Sequence, residues 1–125
     1  MSRETIGIVQ YMTNKGTWEN VPLYKEDNKL VDLWLGGGEI YDYLQEYCYN
    51  LESSDATALS DTLGFYEDDY DGPDWKAVHF ATLKYLANRG AVDMVKLSNK
   101  VEIIAELAGV YASMDQIRLV YYLDY

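Results

Sequence analysis

The side chains that most often carry out catalysis are scarce in this sequence. It contains one histidine, His79, and one cysteine, Cys48. A Ser-His-Asp or Cys-His site would have to use His79, and no G-x-S-x-G motif is present. Periodicity places His79 on the core face of a predicted helix over residues 74–89, and Cys48 on an apolar face beside Leu44 and Leu51. We interpret His79 as a packed histidine and Cys48 as an inert buried thiol, and we expect no enzymatic activity.

Ion-binding motifs are also incomplete. The stretch from Asp69 to Asp74 has part of a calcium-loop pattern, but glycine falls at its fourth position and Phe80 stands where an EF-hand requires glutamate. The glycine run 36–38 is followed by Glu39 and lacks the remaining residues of a phosphate loop, so we interpret it as a connector. No Cys/His spacing indicates zinc. Carboxylate pairs for glycosidase chemistry are uninformative among 21 acids. We expect no metal and no cofactor.

The negative charge is concentrated in the central third of the chain. The net charge is −11, from 21 acidic and 10 basic residues. Residues 30–75 contain 12 acids and no base, whereas the rest of the chain holds 9 acids and 10 bases. Nucleic acids and anionic membranes are held mainly by lysine and arginine, so the sequence predicts that the chain binds neither directly.

The same segment is rich in tyrosine and tryptophan, which are enriched at the cores of protein interfaces. One interpretation is a solubilising face. The other, which the aromatics favour, is a surface complementary to a basic protein. The predicted partner-binding residues are Asp32, Glu39, Asp42, Glu46, Tyr49, Glu52, Asp55, Asp61, Tyr66, Glu67, Asp68, Asp69, Tyr70, Asp71 and Asp74.

These residues must be positioned by a mixture of strands and helices. β-branched and aromatic runs predict strands, and apolar spacing of three and four residues predicts helices. For the short helix over residues 56–63 the signals are Ser54 and Asp55 as a cap and Gly64 as a stop. The expected strands are 5–12, 17–24, 30–35 and 116–125. The expected helices are 39–52, 56–63, 74–89 and 92–112. This pattern predicts an α+β fold with an N-terminal antiparallel meander of about three strands, three to four helices, and a C-terminal strand that returns to the sheet.

The last helical segment leaves two alternatives open. Ser98 and Asn99 are able to divide residues 92–112 into two helices, with Asn99 and Glu102 as a capping pair. Two short helices would also fit a DNA-binding helix-turn-helix. The second helix, however, contains only one basic residue, Lys100. Because DNA is held mainly by lysine and arginine, this argues against DNA binding.

The length of 125 residues predicts a single domain over residues 1–125. No stretch approaches the roughly 20 apolar residues that a membrane-spanning helix needs. The N-terminus has no basic segment followed by an apolar run, so we expect no secretory signal and a cytoplasmic location.

In size, acidity and aromatic content the chain resembles small anti-CRISPR and anti-restriction proteins of phages and mobile elements. The resemblance is compositional and rests on residues 30–75. It implies an inhibitor that binds a nucleic-acid-handling host protein by imitating nucleic acid, in the cytoplasm of the host cell. Anti-restriction DNA mimics usually spread their acids along the chain, whereas residues 76–125 are nearly balanced in charge here. The sequence therefore favours a compact inhibitor with one acidic face.

Two other functions fit the same composition. An immunity protein or antitoxin that neutralises a basic toxin would use the same electrostatics. A small virion or scaffold protein would instead assemble with itself. The sequence leaves the oligomeric state open, a homodimer included.

Overall fold

The computed structural model describes residues 3–63, 74–110, 113 and 116–124. The strands are β1 (Glu4–Met12), β2 (Trp18–Asn20), β3 (Leu33–Gly36), β4 (Tyr49–Asn50), β5 (Lys76–His79) and β6 (Ile117–Asp124). The helices are α1 (Gly38–Tyr43), α2 (Ser53–Leu63), α3 (Phe80–Asn88) and α4 (Val92–Leu107), and a 3-10 turn over Leu44–Glu46 follows α1. The predicted α+β class is confirmed.

The strands form one antiparallel sheet in the order β2-β1-β6-β5-β4. The predicted return of the C-terminal strand is confirmed, because β6 pairs with β1 from Glu4 opposite Asp124 to Tyr11 opposite Ile117. The chain departs from a simple meander in one respect. β2 covers only the last three residues of β1, and β3 pairs with the N-terminal half of β1 on the same edge. The predicted second strand ends early, at Asn20, two residues before a proline that could not donate to the ladder.

The central strand β6 explains why the sheet is covered on both faces. Successive side chains of a strand point to opposite faces. Leu119 and Tyr121 join one apolar cluster, whereas Val120 and Tyr122 join another. The alternating side chains of β6 therefore point to two faces of the sheet that are both buried. Over most of its length, neither face of this strand is exposed to solvent.

Different helices cover the two faces. The first face packs against the turn after α1 through Leu44, against α3 through Leu83, and against α4 through Val101. The second face packs against α2 through Leu59. There Trp75 lies edge-on to Tyr122 at 4.8 Å between ring centroids, and its indole Nε1 donates to Ser60 Oγ at 3.2 Å.

The predicted helix over residues 39–52 is wrong in its second half. Helix α1 ends at Tyr43, and residues 49–50 form a strand paired with β5. The helical spacing also predicts that Tyr43 and Tyr47 face the core together with Leu44, and for the two tyrosines this is wrong. Tyr43 and Tyr47 are 44% and 39% exposed, and Tyr41 is the buried tyrosine. Residues 49–50 adopt a strand because they pair with β5. A contact with a strand that is distant in the chain leaves no trace in the local helical spacing of apolar residues.

The predicted helix over residues 74–89 begins only at Phe80. Residues 76–79 form β5, between β4 and β6. Ala77 and Val78 are adjacent and both fully buried, on opposite faces of the sheet. A strand covered on both faces buries both residues, so tertiary packing overrides the local helical pattern.

The remaining helices follow the sequence more closely. The helix predicted over 56–63 is present and begins earlier, at Ser53. Helix α4 is continuous through residue 98, whose buried side chain donates from Oγ to the Val95 carbonyl at 3.0 Å. The alternative of two helices, and with it the helix-turn-helix, is therefore not realised. Across the described ranges, no helix has the length and apolar character needed to cross a membrane.

Candidate functional site

A row of polar side chains crosses four strands of the sheet. In the ladder register, Gln10 of β1 lies opposite both Asn20 of β2 and Arg118 of β6, and Arg118 lies opposite His79 of β5. Directly paired residues place their side chains on the same face. All four therefore share the face that carries Val120, at the end of the sheet where β2 pairs with β1.

Arg118 is the centre of this row and is only 3% exposed. Its Nε donates to Gln10 Oε1 at 2.8 Å, and its Nη1 donates to the hydroxyl of Tyr49 at 3.1 Å. Its Nη2 lies 3.5 Å from Oδ2 of Asp55, and its guanidinium carbon lies 4.4 Å from the ring centroid of Trp18. A buried charge is costly unless it is paired and hydrogen-bonded. Nε and Nη1 of Arg118 are hydrogen-bonded, whereas Nη2 has the Asp55 carboxylate as its ion-pair partner but makes no hydrogen bond within the described residues.

Neighbouring residues hold this arrangement in place. Gln10 Nε2 donates to Asn20 Oδ1 at 2.9 Å, which fixes the amide so that its oxygen accepts from Arg118. Asp55 lies in the first turn of α2, the helix that packs on the same face through Leu59. The position of α2 therefore determines whether the carboxylate reaches the guanidinium.

A cleft of about 750 Å³ lies beside Arg118 and His79, the two members of the row that line it. Aromatic rings form part of its wall: His79 lies 5.9 Å from Trp18 and 5.3 Å from Tyr49, between ring centroids. Two carboxylates, from Glu52 and Asp55, stand at the start of α2. The full lining is Met12, Gly16, Thr17, Trp18, Tyr49, Asn50, Glu52, Asp55, His79 and Arg118. We call this the Arg118 cleft.

The sequence-predicted acidic residues are distributed over both sides of the sheet. Glu39 and Asp42 lie on α1, and Glu46 lies in the turn that follows, on the layer that packs against the first face. The carboxylates of α2 lie on the opposite layer. The predicted residues in the described ranges are Asp32, Glu39, Asp42, Glu46, Tyr49, Glu52, Asp55, Asp61 and Asp74. Tyr66, Glu67, Asp68, Asp69, Tyr70 and Asp71 lie outside the described residues, as does most of the stretch considered for calcium.

Some of these acids are paired with bases and others are not. The ion pairs are Asp32 with Lys25 at 3.6 Å, Asp42 with Arg3 at 3.5 Å, Asp74 with Lys76 at 3.3 Å, and Asp55 with Arg118 at 3.5 Å. Within the described ranges, no ion pair joins Glu39, Glu46, Glu52 or Asp61 to a base, and all four are exposed. The chain therefore leaves part of its negative charge uncompensated on both layers.

Exposed tyrosines accompany the acids of α1. Tyr43 and Tyr47 lie 6.0 Å apart between ring centroids, close to Arg89. Arg89 Nη1 donates to the hydroxyl of Tyr85 at 2.6 Å, and this hydrogen bond raises the pKa of the arginine. Beside Tyr43, a cavity of about 230 Å³ separates α1 from the start of α4, with Glu39 in its lining. We call Tyr43, Tyr47, Tyr85, Arg89 and their acidic neighbours Glu39 and Glu46 the tyrosine surface.

Sequence reasoning missed most of the Arg118 cleft. It treated His79 as part of a helix core, but His79 is half-buried on a strand and lines the cleft. It does not single out Trp18 and Arg118, because they come from strands at opposite ends of the chain. One indication was available: Arg118 is the single base in a C-terminal strand that otherwise alternates two apolar sets.

No group of three or more histidine, cysteine, aspartate or glutamate side chains in the described part of the chain is arranged to hold a metal ion. Cys48 is a free, half-buried thiol that packs against the first core. No protein-family model, no curated protein and no solved structure matches this chain.

Proposed function

We propose that this protein is a non-enzymatic inhibitor of a basic, nucleic-acid-handling host protein, such as a CRISPR effector or a restriction enzyme. It would bind through an acidic, tyrosine-bearing surface that imitates nucleic acid. The observation that supports this most directly is the tyrosine surface. There, exposed carboxylates and exposed tyrosines alternate along one short segment of chain.

The chemistry of this segment suits a site built for nucleic acid. A groove lined with lysine and arginine accepts carboxylates as it accepts phosphates, because both anions form charge-assisted hydrogen bonds with these side chains. Such hydrogen bonds are stronger than those between neutral groups. Glu39 and Glu46 are exposed and have no paired base among the described residues, so they can pair with a partner. Tyr43 and Tyr47 offer ring faces where bases would otherwise stack.

The long-range field acts in the same direction. With a net charge of −11, the protein would be drawn toward a basic partner, which accelerates encounter and disfavours acidic competitors. The proposed location is the cytoplasm, where a host effector or restriction enzyme acts on nucleic acid.

The first experiment is a pull-down from host lysate, with and without nuclease treatment, followed by mass spectrometry. Recovery of a nucleic-acid-binding effector or restriction enzyme after nuclease treatment supports the proposal. Recovery of a basic toxin would replace it by the immunity-protein alternative. Self-association with no basic protein recovered would favour a scaffold role.

The second experiment measures affinity for the recovered protein as a function of salt. We expect the affinity to fall steeply as NaCl is raised, because exposed charges are screened. The double variant E39Q/E46Q should bind about tenfold more weakly at low salt, since two charged contacts are lost. E26Q/E106Q removes two exposed charges from elsewhere and is the matched control. Equal affinities for the two variants, or no salt dependence, would exclude this surface.

A further inference from the structure

We propose that the Arg118 cleft receives an arginine side chain of the basic partner. This inference rests on the proposed function, because it requires a partner that presents cationic side chains. It concerns a surface separate from the tyrosine surface, on the opposite layer of the sheet.

The charge of the cleft favours a cation. Its charged side chains Glu52, Asp55 and Arg118 leave one net negative charge. The guanidinium of Arg118 is buried and faces Asp55, so its charge is matched inside the protein. Glu52 is exposed and in no ion pair among the described residues, and is therefore the carboxylate that an incoming cation would meet. An anionic ligand would meet the same carboxylate and be repelled.

The aromatic lining favours a guanidinium over an ammonium group. Trp18, His79 and Tyr49 present ring surface around one space. A planar, weakly hydrated guanidinium stacks on aromatic faces and pairs with a carboxylate through two parallel hydrogen bonds, which lysine cannot do. The fold already holds one guanidinium here, that of Arg118, against an indole, a phenol hydroxyl and a carboxylate. Those groups are engaged by Arg118, so a second guanidinium would pair with the exposed Glu52 carboxylate and stack on the exposed ring of Tyr49.

The dimensions of the cleft are also adequate. Its volume of about 750 Å³ is within the range of small-ligand pockets and exceeds what one side chain fills. The floor is tied together by hydrogen bonds and an ion pair that link Arg118 to three other strands and to α2. A pre-formed site of this kind binds without the entropic cost of ordering its own walls.

The test uses the isolated protein and a single side chain as the probe. N-acetyl-arginine amide is titrated while NMR follows the indole N–H of Trp18 and the ring of His79. N-acetyl-citrulline amide, a neutral isostere, is the control ligand. We expect saturable shifts at both residues with the arginine probe, at millimolar affinity, and none with citrulline. Equal shifts with citrulline, or no saturation up to about 100 mM, where a single contact of this kind would be detected, would overturn the inference.

Protein variants separate specific binding from general attraction to an acidic protein. E52Q removes the exposed carboxylate without changing a contact of Arg118, and should weaken the arginine probe by about threefold to tenfold. D61N, which removes an exposed charge from α2, the helix that follows Glu52, at a position outside the cleft lining, should leave the affinity unchanged. Equal weakening by both variants would show nonspecific attraction and would overturn the inference.

The partner complex distinguishes this inference from the proposed function. If E52Q leaves partner affinity unchanged while E39Q/E46Q lowers it, the cleft inference fails and the proposed function stands. If the arginine probe binds the cleft but no basic partner is recovered, the site exists and the proposed function fails.

Discussion

Arg118 lies opposite Gln10 in the ladder between β1 and β6, and its Nε donates to the glutamine Oε1 at 2.8 Å. The two residues are 108 positions apart in the chain. Their pairing requires that the last strand enter the sheet next to the first, in this register. A shift of one residue would turn Arg118 toward the first core, where it would meet apolar side chains. The polar row therefore specifies the register, and two of its members, Arg118 and His79, also line the cleft.

The ion pair between Arg118 and Asp55 predicts a stability cost for Asp55→Asn. The variant leaves a buried guanidinium without its carboxylate, and breaking a fully buried pair costs about 3–5 kcal/mol. Asp55 is 39% exposed, so water screens part of the interaction and we expect a loss of about 1–2 kcal/mol in the free energy of unfolding. Urea denaturation measures this. Asp61→Asn, on the same helix without an ion pair in the described structure, should change the free energy by less than about 0.5 kcal/mol.

A double-mutant cycle isolates that interaction from other effects of the asparagine. Arg118→Met should cost less in the Asp55→Asn background than in the original chain, with a coupling energy of at least about 0.5 kcal/mol. Strictly additive losses would mean that the two side chains are near each other without stabilising the fold.

Helix α2 is attached to the sheet mainly by Leu59, its one buried residue, which is 2% exposed. Leu59→Ala should lower the free energy of unfolding by about 2–4 kcal/mol, from lost burial and the cavity that remains. Leu107→Ala is the matched control, since Leu107 on α4 is 69% exposed and its loss should cost less than about 0.5 kcal/mol. Chemical denaturation compares the two. Similar losses would show that α2 does not depend on this contact.

The same variant connects packing to the cleft. Because Asp55 lies in the first turn of α2 and Glu52 directly precedes the helix, loosening Leu59 should also disturb the aromatic groups near Arg118. The Trp18 indole resonance is expected to shift in Leu59→Ala and to remain in place in Leu107→Ala.

Tyr121 gives a prediction about alkaline pH. Burial raises the pKa of its hydroxyl far above the usual value, and the neighbouring Cys48 thiol and Tyr41 add to the effect. The unfolded chain releases this proton above about pH 10, whereas the folded protein retains it. Stability should therefore be unaffected by this group below pH 10 and fall above it, by about 1.4 kcal/mol per pH unit. Tyr121→Phe removes this contribution, so its loss of stability above pH 10 should be shallower. Superimposable alkaline profiles would contradict the assignment.

At neutral pH the same substitution should not destabilise the protein. Within the described part of the chain, the buried Tyr121 hydroxyl has no hydrogen-bonding nitrogen or oxygen, and its polar neighbour is the Cys48 thiol, a weak hydrogen-bonding group. Since a buried, unsatisfied polar group costs about 1–3 kcal/mol, Tyr121→Phe should be neutral or stabilising by up to about 1 kcal/mol in urea denaturation. A loss larger than about 1 kcal/mol would show that the hydroxyl has a partner. Tyr24→Phe, at an exposed position, provides the reference for a tyrosine-to-phenylalanine change.

The sequence by itself determined the class of fold and the location of the charge. Local patterns were sufficient for β1 and β6 through their residue types, and for α2 through its capping residues. They also predicted helix in the region of α4 but left its continuity open. The concentration of acids in residues 30–75 is likewise a property of the chain alone. Local patterns failed at residues 49–50 and 76–79, where pairing with neighbouring strands outweighed a helical spacing of apolar residues.

Only the tertiary structure decided how the charges are arranged. The acids of α1 and α2 are close in sequence, yet the sheet separates them into opposite layers, because the chain passes around its β4 edge between the two helices. The Arg118 cleft is assembled in the opposite way, from residues of five strands and one helix that are far apart in the chain. Contacts between distant residues depend on strand order and register. Order and register are set by which apolar side chains are buried together on the two faces of the sheet, and these side chains come from many segments of the chain.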